Sequence, residues 1–97
     1  MYHGEFKEPG GKLVMVDFSV VDGLLSDVTV SGDFFLYPED ALGPIVDAIE
    51  DSPVEQTVAA RAALIAAAIP ADVEWLGASP LGLATAIDRA LIQGEQE

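Results

Sequence analysis

Lys12-Leu13-Val14-Met15-Val16-Asp17-Phe18-Ser19-Val20 runs directly into Val21-Asp22-Gly23-Leu24 and then Leu25-Ser26-Asp27-Val28-Thr29-Val30. In the first run Val14, Val16, Phe18 and Val20 recur at every second position, with Asp17 and Ser19 between them. That period describes a strand with one buried and one wet face. Asp22-Gly23 between apolar runs predicts a tight hairpin, because a type I′ turn requires positive φ at both central residues. Val28 and Val30 then share one face of the returning strand. Phe34-Phe35-Leu36-Tyr37 is β-prone and adds a third short strand. Tyr2 to Lys7 reads as an edge strand.

From Pro38 the period changes. Leu42, Ile45, Val46 and Ile49 follow helical spacing, and Glu39 and Asp40 stand early, where the helix dipole favours acids. Pro44 conflicts with one continuous helix. The expectation is a turn over 38–42 and a helix from Pro44 to Glu50. Ser52-Pro53-Val54-Glu55 reads as a cap, a first-turn proline and a capping box. The helix it opens carries Val54, Val58, Ala62, Ile65 and Ile69 as one stripe and stops before Pro70. Asp72 to Gly77 is a connector in which Trp75 and Leu76 read as core plugs, or else as anchors for a partner. Ser79-Pro80 repeats the cap-then-proline pattern, Leu83, Ile87 and Leu91 form the last stripe, and Gly94 is the C-cap. The tail Glu95-Gln96-Glu97 is expected to fray. Strands first and helices second is an α+β order: a small antiparallel meander of about three strands with helices packed on one face. The expectation is one domain over 1–97.

Composition narrows the function. With 97 residues, 51% of them hydrophobic, the chain can bury a core. No apolar run approaches the length of a membrane span, and the start lacks a signal-peptide layout. Cytoplasmic residence is the expectation. Cysteine is absent and His3 is the sole histidine, which excludes thiolate chemistry, disulfides, sulfur-ligated metal and a histidine-rich metal site. Seventeen acids against four bases give a net charge of −13. Such a chain repels nucleic acid and anionic membranes. It suits a partner with a basic face, or simply an organism whose proteins are acidic.

Candidate sites are few. Lys7-Glu8-Pro9-Gly10-Gly11-Lys12 places two of the four bases around a glycine pair. Freed backbone amides and two ammonium groups can hold a phosphate. The same turn also reads as a strand entry whose lysines face solvent or a partner subunit. No nucleotide-binding glycine pattern is present. Asp33 before Phe34-Phe35 is the second candidate. Adjacent residues of a strand point to opposite faces, so one Phe fills the core and the other is left for an interface, unless both are buried. Asp17, Asp22, Asp27, Glu39, Asp40, Asp47, Glu50 and Asp51 read as solvated charge without a calcium-loop spacing. His3 reads as a surface residue near a mobile start. No catalytic constellation and no metal site emerges.

The two motif pieces, Lys7 to Val14 and Ser31-Gly32-Asp33-Phe34-Phe35-Leu36-Tyr37-Pro38-Glu39-Asp40-Ala41-Leu42, together with the Ser79-Pro80 helix, resemble the accessory (C-terminal) domain of lipoate–protein ligases, which some organisms make as a separate small subunit. The resemblance implies a fold like that of iron–sulfur scaffold proteins, although a scaffold role itself would need cysteines. It implies a partner, a catalytic ligase subunit with a biotin/lipoate-ligase-type domain. That subunit would activate lipoate with ATP to lipoyl-AMP and pass the lipoyl group to a lysine of a lipoyl domain. ATP and lipoate would be bound through the partner, with no cofactor held by this chain alone and no catalytic residue transferred to it. Lys7, Gly10, Gly11, Lys12, Gly32, Asp33, Phe34 and Phe35 carry over as motif or interface positions. The alternative is an adaptor unrelated to lipoate that binds a protein through its exposed sheet face.

Overall fold

The hairpin forms as its sequence requires. In the computed structural model, which describes residues 1–70 and 72–95, β2 (Leu13–Val21) and β3 (Leu24–Gly32) pair antiparallel from Val14↔Gly32 to Val21↔Leu24. Asp22 and Gly23 take φ of 53° and 77°. The register shifts between Asp17↔Thr29 and Ser19↔Ser26, so Asp27 and Val28 together oppose Phe18. Asp27, at φ 53°, is the extra residue of a β-bulge. Strict alternation would turn Leu25 away from the face of Val28. The bulge returns it, and Leu25, Val28 and Val30 are all buried.

Strand β1 (Tyr2–Lys7) pairs with the other side of β2, giving a sheet of order β1-β2-β3. Helix α3 (Pro80–Gln93) lies across β1 and β2, α1 (Leu42–Ile49) lies against β3, and α2 (Val58–Ala67) joins α1 to α3. One cluster, including Val14, Val16, Phe18, Ile45, Ile49, Ile65, Leu83 and Ile87, fills the space between sheet and helices. The arrangement is the expected α+β one. Helix α3 comes very close to β1: a Cβ on Gly4 would stand 2.1 Å from the Ala86 carbonyl oxygen and 2.8 Å from Ala90 Cβ. Small residues on both sides of the contact make this approach possible.

Three elements differ from expectation. The third strand of the meander is β1. Strand β4 (Phe35–Tyr37) leaves the sheet and pairs with β5 (Glu74–Leu76), inside the expected connector. Gly32, at φ 144°, ends β3, and the Asp33 amide donates to the Leu13 carbonyl at 3.0 Å, turning the chain away. Helix α1 begins at Leu42 after a 3₁₀ turn over Glu39–Ala41. Pro44 falls in its first turn, where no N–H is needed.

The largest difference concerns Ser52. Helix α2 starts at Val58 under a Thr57 cap, whose Oγ1 accepts from the Ala60 amide at 3.1 Å. Residues 51–54 instead line the hairpin: Leu25 N to Ser52 O at 2.9 Å, Asp51 N to Leu25 O at 2.8 Å, and Val54 N to Gly23 O at 3.0 Å. The Ser52 amide is taken by the Ile49 carbonyl at 3.1 Å, so Glu55 cannot close a capping box. Arg61, 1% exposed, fixes this segment from α2. Its Nη1 donates to Ser52 Oγ at 3.3 Å and its Nη2 to the Pro53 carbonyl at 3.1 Å. Burial pushes the guanidinium pKa below its ordinary range, opposed by the charge of Asp88. The Ser79 cap and Pro80 start of α3 form as expected, with Gly82 N donating to Ser79 Oγ at 3.0 Å, and Gly94 ends the helix at φ 84°. Of the tail, Gln96 and Glu97 lie outside the described residues.

Candidate functional site

The two motif pieces meet at one end of the sheet. Lys7 pairs with Leu13, and Val14 with Gly32, so the end of β1, the start of β2 and the end of β3 lie side by side. The turn between β1 and β2 closes with Gly11 N donating to Glu8 O at 2.8 Å, and Gly10 takes φ 76°. The next amide, of Lys12, donates to the Gly77 carbonyl at 2.8 Å. A Cβ on Gly11 would come within 2.9 Å of that same carbonyl. The amides of Gly11 and Lys12 are therefore engaged inside the protein, and a phosphate cradle is not what this turn builds. Lys7 and Lys12 are exposed, Lys7 on the open face of the sheet and Lys12 with its stem over Gly77.

Gly32 is required by the approach of two chain segments, because its Cβ would stand 2.1 Å from the Leu13 carbonyl oxygen. Asp33 is exposed. Phe34 is half-buried and stacks on Trp75, with ring centroids 6.4 Å apart. Phe35 points the other way and is 64% exposed. The fully buried residue of β4 is Leu36. Neither expected core plug is fully buried: Trp75 is half-buried and Leu76 is 42% exposed.

Pairing then assembles a surface that the motif reading missed. Phe35 faces Leu76 across the β4–β5 ladder, and Tyr37, 63% exposed, faces Glu74. Phe35, Tyr37 and Leu76 thus form one exposed aromatic and aliphatic face. Beside it lies a groove of about 290 Å³, lined among others by Val30, Gly32, Phe34, Leu36 and Leu42. Exposed Glu39 lines it, exposed Asp33 directly precedes Phe34, and exposed Glu74 faces Tyr37 across the ladder. The signal was present in the alternation of Phe34 to Tyr37 and of Glu74 to Leu76. Three-residue strands are too short to show that the two segments pair.

The remaining polar groups have local tasks. Glu8 reaches the start of α3, where its carboxylate accepts from Ser79 Oγ and occupies the space a Gly82 side chain would need. Its charge suits the positive end of the helix. Glu50 Oε1 accepts from the Val28 amide at 3.2 Å, and Asp22, Asp27 and Asp51 hold positive-φ positions. His3 sits within β1 rather than at a loose start, its ring bridging Asp17 Oδ1 and Glu5 Oε2 at 2.7 Å each. The bond to Glu5, then that to Asp17, raises its pKa above the ordinary 6.5. Among the described residues, no group of three or more His, Asp or Glu is placed to hold a metal ion, and no helix is long and apolar enough to cross a membrane.

No family model matches the chain. Among curated proteins it is similar to lipoate-protein ligase A subunit 2 of Thermoplasma acidophilum, at 32% identity over 56 residues. The match covers 58% of this chain and 58% of that protein. Among solved structures it resembles one chain of an archaeal lipoylation system, a bi-partite lipoate protein ligase and its E2 lipoyl domain from Thermoplasma acidophilum. That likeness covers 90% of this chain and 93% of the other, with a TM-score of 0.70 and 23% identity, and it establishes the fold. The chain is thus similar in sequence, over somewhat more than half its length, to lipoate-protein ligase A subunit 2, and in fold, over nine-tenths, to a chain of that archaeal lipoylation system.

Proposed function

We propose that this chain is the non-catalytic accessory subunit of a two-part lipoate–protein ligase. In this reading a separate catalytic subunit, built on a biotin/lipoate-ligase-type domain, joins lipoate to the AMP part of ATP, releasing pyrophosphate. The amine of a lipoyl-domain lysine then attacks the lipoyl-AMP carbonyl, forming an amide and releasing AMP. The present chain supports the activation step, in the cytoplasm, and binds neither ATP nor lipoate on its own.

The observation that carries this reading is the 32% identity to a protein described as subunit 2 of such a ligase. The fold likeness over 90% of the chain agrees in kind. Two features of the site favour an accessory role over a ligand-binding one. The Gly11 and Lys12 amides of the glycine turn are bonded internally. The charge of −13 opposes direct binding of an anionic nucleotide and favours a partner with a basic face.

The test mixes this chain with the ligase-type catalytic chain of the same genome, ATP and lipoate, and follows lipoyl-AMP. Formation is expected to rise about tenfold or more when this chain is added, equivalent to about 1.4 kcal/mol at the barrier. Equal rates with and without it overturn the reading. Association is also expected to weaken as salt is raised, because the steering is electrostatic.

A further inference from the structure

We infer that the β4–β5 face and the adjoining edge of β3 are the surface by which this chain docks its partner, which presents there an extended apolar segment flanked by Lys or Arg. The inference rests on the ligase reading above for the partner's identity as the catalytic subunit. Four observations carry it.

The first is apolar exposure in one place. Phe35, Tyr37 and Leu76 are 64%, 63% and 42% exposed and lie on one face of a two-stranded ladder. Together they show water roughly 300–400 Å² of mostly apolar surface, the scale at which a patch on a small protein signals binding. The other exposed apolar residues form no comparable patch: Val21 and Leu24, 55% and 37% exposed, make a smaller aliphatic pair beside the hairpin turn, and Met1 stands apart from them. Leu81 and Ile92 stand near opposite ends of α3, about 16 Å apart along its axis. On the open face of the three-stranded sheet, Leu13 and Met15 are half-buried among charged and polar neighbours.

The second is an open strand edge. On the outer side of β3 the Leu25 amide donates to Ser52 O and the Val28 amide to Glu50 Oε1. Alternation along the strand turns the backbone groups of Val30 and Gly32 to that same side, where the groove lined by Phe34, Leu36 and Leu42 begins. An extended segment can add to this edge and place an apolar side chain in the groove. Phe35 lines the groove as well as the exposed face, so the two parts are continuous.

The third is the rim. Glu39 lines the groove, Glu74 faces Tyr37 across the ladder and Asp33 directly precedes Phe34, all three exposed, with Lys12 near Gly77 as the nearby base. An apolar centre with a charged rim is the usual anatomy of a protein interface. Here the rim asks for cations.

The fourth disfavours a second copy as the occupant. Two such faces would bring acid against acid, on chains each carrying −13, and like charge opposes that encounter.

The experiment measures binding of the full chain to the catalytic subunit by calorimetry. The variants are Phe35→Ser and Leu76→Ser, with Ile92→Ser as the distant control. Each site variant is expected to raise Kd roughly tenfold or more, as loss of a central apolar anchor does, and the control to stay within about twofold. Phe35 and Leu76 face each other across the ladder, so each site variant is expected to lose at most about 1 kcal/mol of stability, and all three variants should remain folded with cooperative thermal melts. Site variants that bind as tightly as the parent overturn the surface assignment and leave the ligase reading standing. A parent that does not bind the catalytic subunit overturns the ligase reading, and this proposal with it. A parent that sediments as a dimer, and becomes monomeric on Phe35→Ser, assigns the face to self-association and overturns the proposal.

Discussion

Replacing Gly32 by alanine separates two costs that glycine hides. A φ of 144° lies where side-chain-bearing residues rarely go, and holding alanine there costs about 1–2 kcal/mol. The new Cβ would also stand 2.1 Å from the Leu13 carbonyl oxygen and 3.1 Å from its carbon. That oxygen belongs to the backbone and accepts from Asp33 N at 3.0 Å, so no rotamer change relieves the collision. Parting the strands costs about 1–3 kcal/mol, and losing the Asp33 bond adds about 1 kcal/mol. The expected loss is about 3–6 kcal/mol. Gly10→Ala supplies the comparison: φ is 76°, but nothing lies within 4 Å, so the conformational cost of about 1–2 kcal/mol stands alone. Urea denaturation reads both, with unchanged m-values showing that the exposed surface is unaltered. In thermal melts each kcal/mol corresponds to about 4–8 °C. If Gly32→Ala falls within about 1 kcal/mol of Gly10→Ala, the close approach of β3 to Leu13 is refuted.

Arg61→Ala removes the donors that hold Ser52 Oγ and the Pro53 carbonyl and leaves a buried void. It is expected to cost about 3 kcal/mol or more, and Arg61→Met, which keeps the volume, to recover part of that; a urea midpoint unchanged by Arg61→Ala would contradict the buried clamp. His3 gives a pH dependence of definite sign. Its folded pKa is raised above 6.5 by Glu5 and Asp17, so its stabilisation is fully present below the unfolded pKa and is lost as pH rises through the folded value. A third of the side chain is exposed, and solvent screening limits the effect to at most about 1 kcal/mol. His3→Gln should abolish this slope, and an imidazole NMR titration with a midpoint at or below 6.5 would disprove the double bridge.

The sheet was legible because burial imposes a period. Val14, Val16 and Phe18 could face only one way, and Asp22-Gly23 specified the turn. Leu25 was harder, since the bulge at Asp27 breaks the period that sequence reading depends on. Ser52-Pro53 misled for a related reason. Its local chemistry is that of a helix start, but three backbone bonds to the hairpin are available only in the folded protein, and Arg61 completes them from nine residues away. At the candidate site, the grouping of Gly10, Gly11, Gly32 and Asp33 was visible as a motif. Their task was not, because it lies in which backbone atoms pass within 3 Å of one another. Tyr37 and Leu76 were each visible, as a strand residue and as a core plug, but their common face exists only through a pairing between residues some forty positions apart.

The contact between Gly4 and the Ala86–Ala90 stretch has a kinetic consequence. Glu5 O meets Arg89 across 84 positions of chain, Glu8 meets Ser79 across 71, and the Met1 ammonium lies 3.7 Å from Glu95. The first strand is thus completed by the last helix. The hairpin can close early, but the apolar side of Val14, Val16 and Phe18 stays open until α3 arrives. High contact order of this kind slows folding and binds its parts into one cooperative step. It also means that the chain is better opened at a surface turn such as Asp22-Gly23 than shortened at either of its two meeting ends.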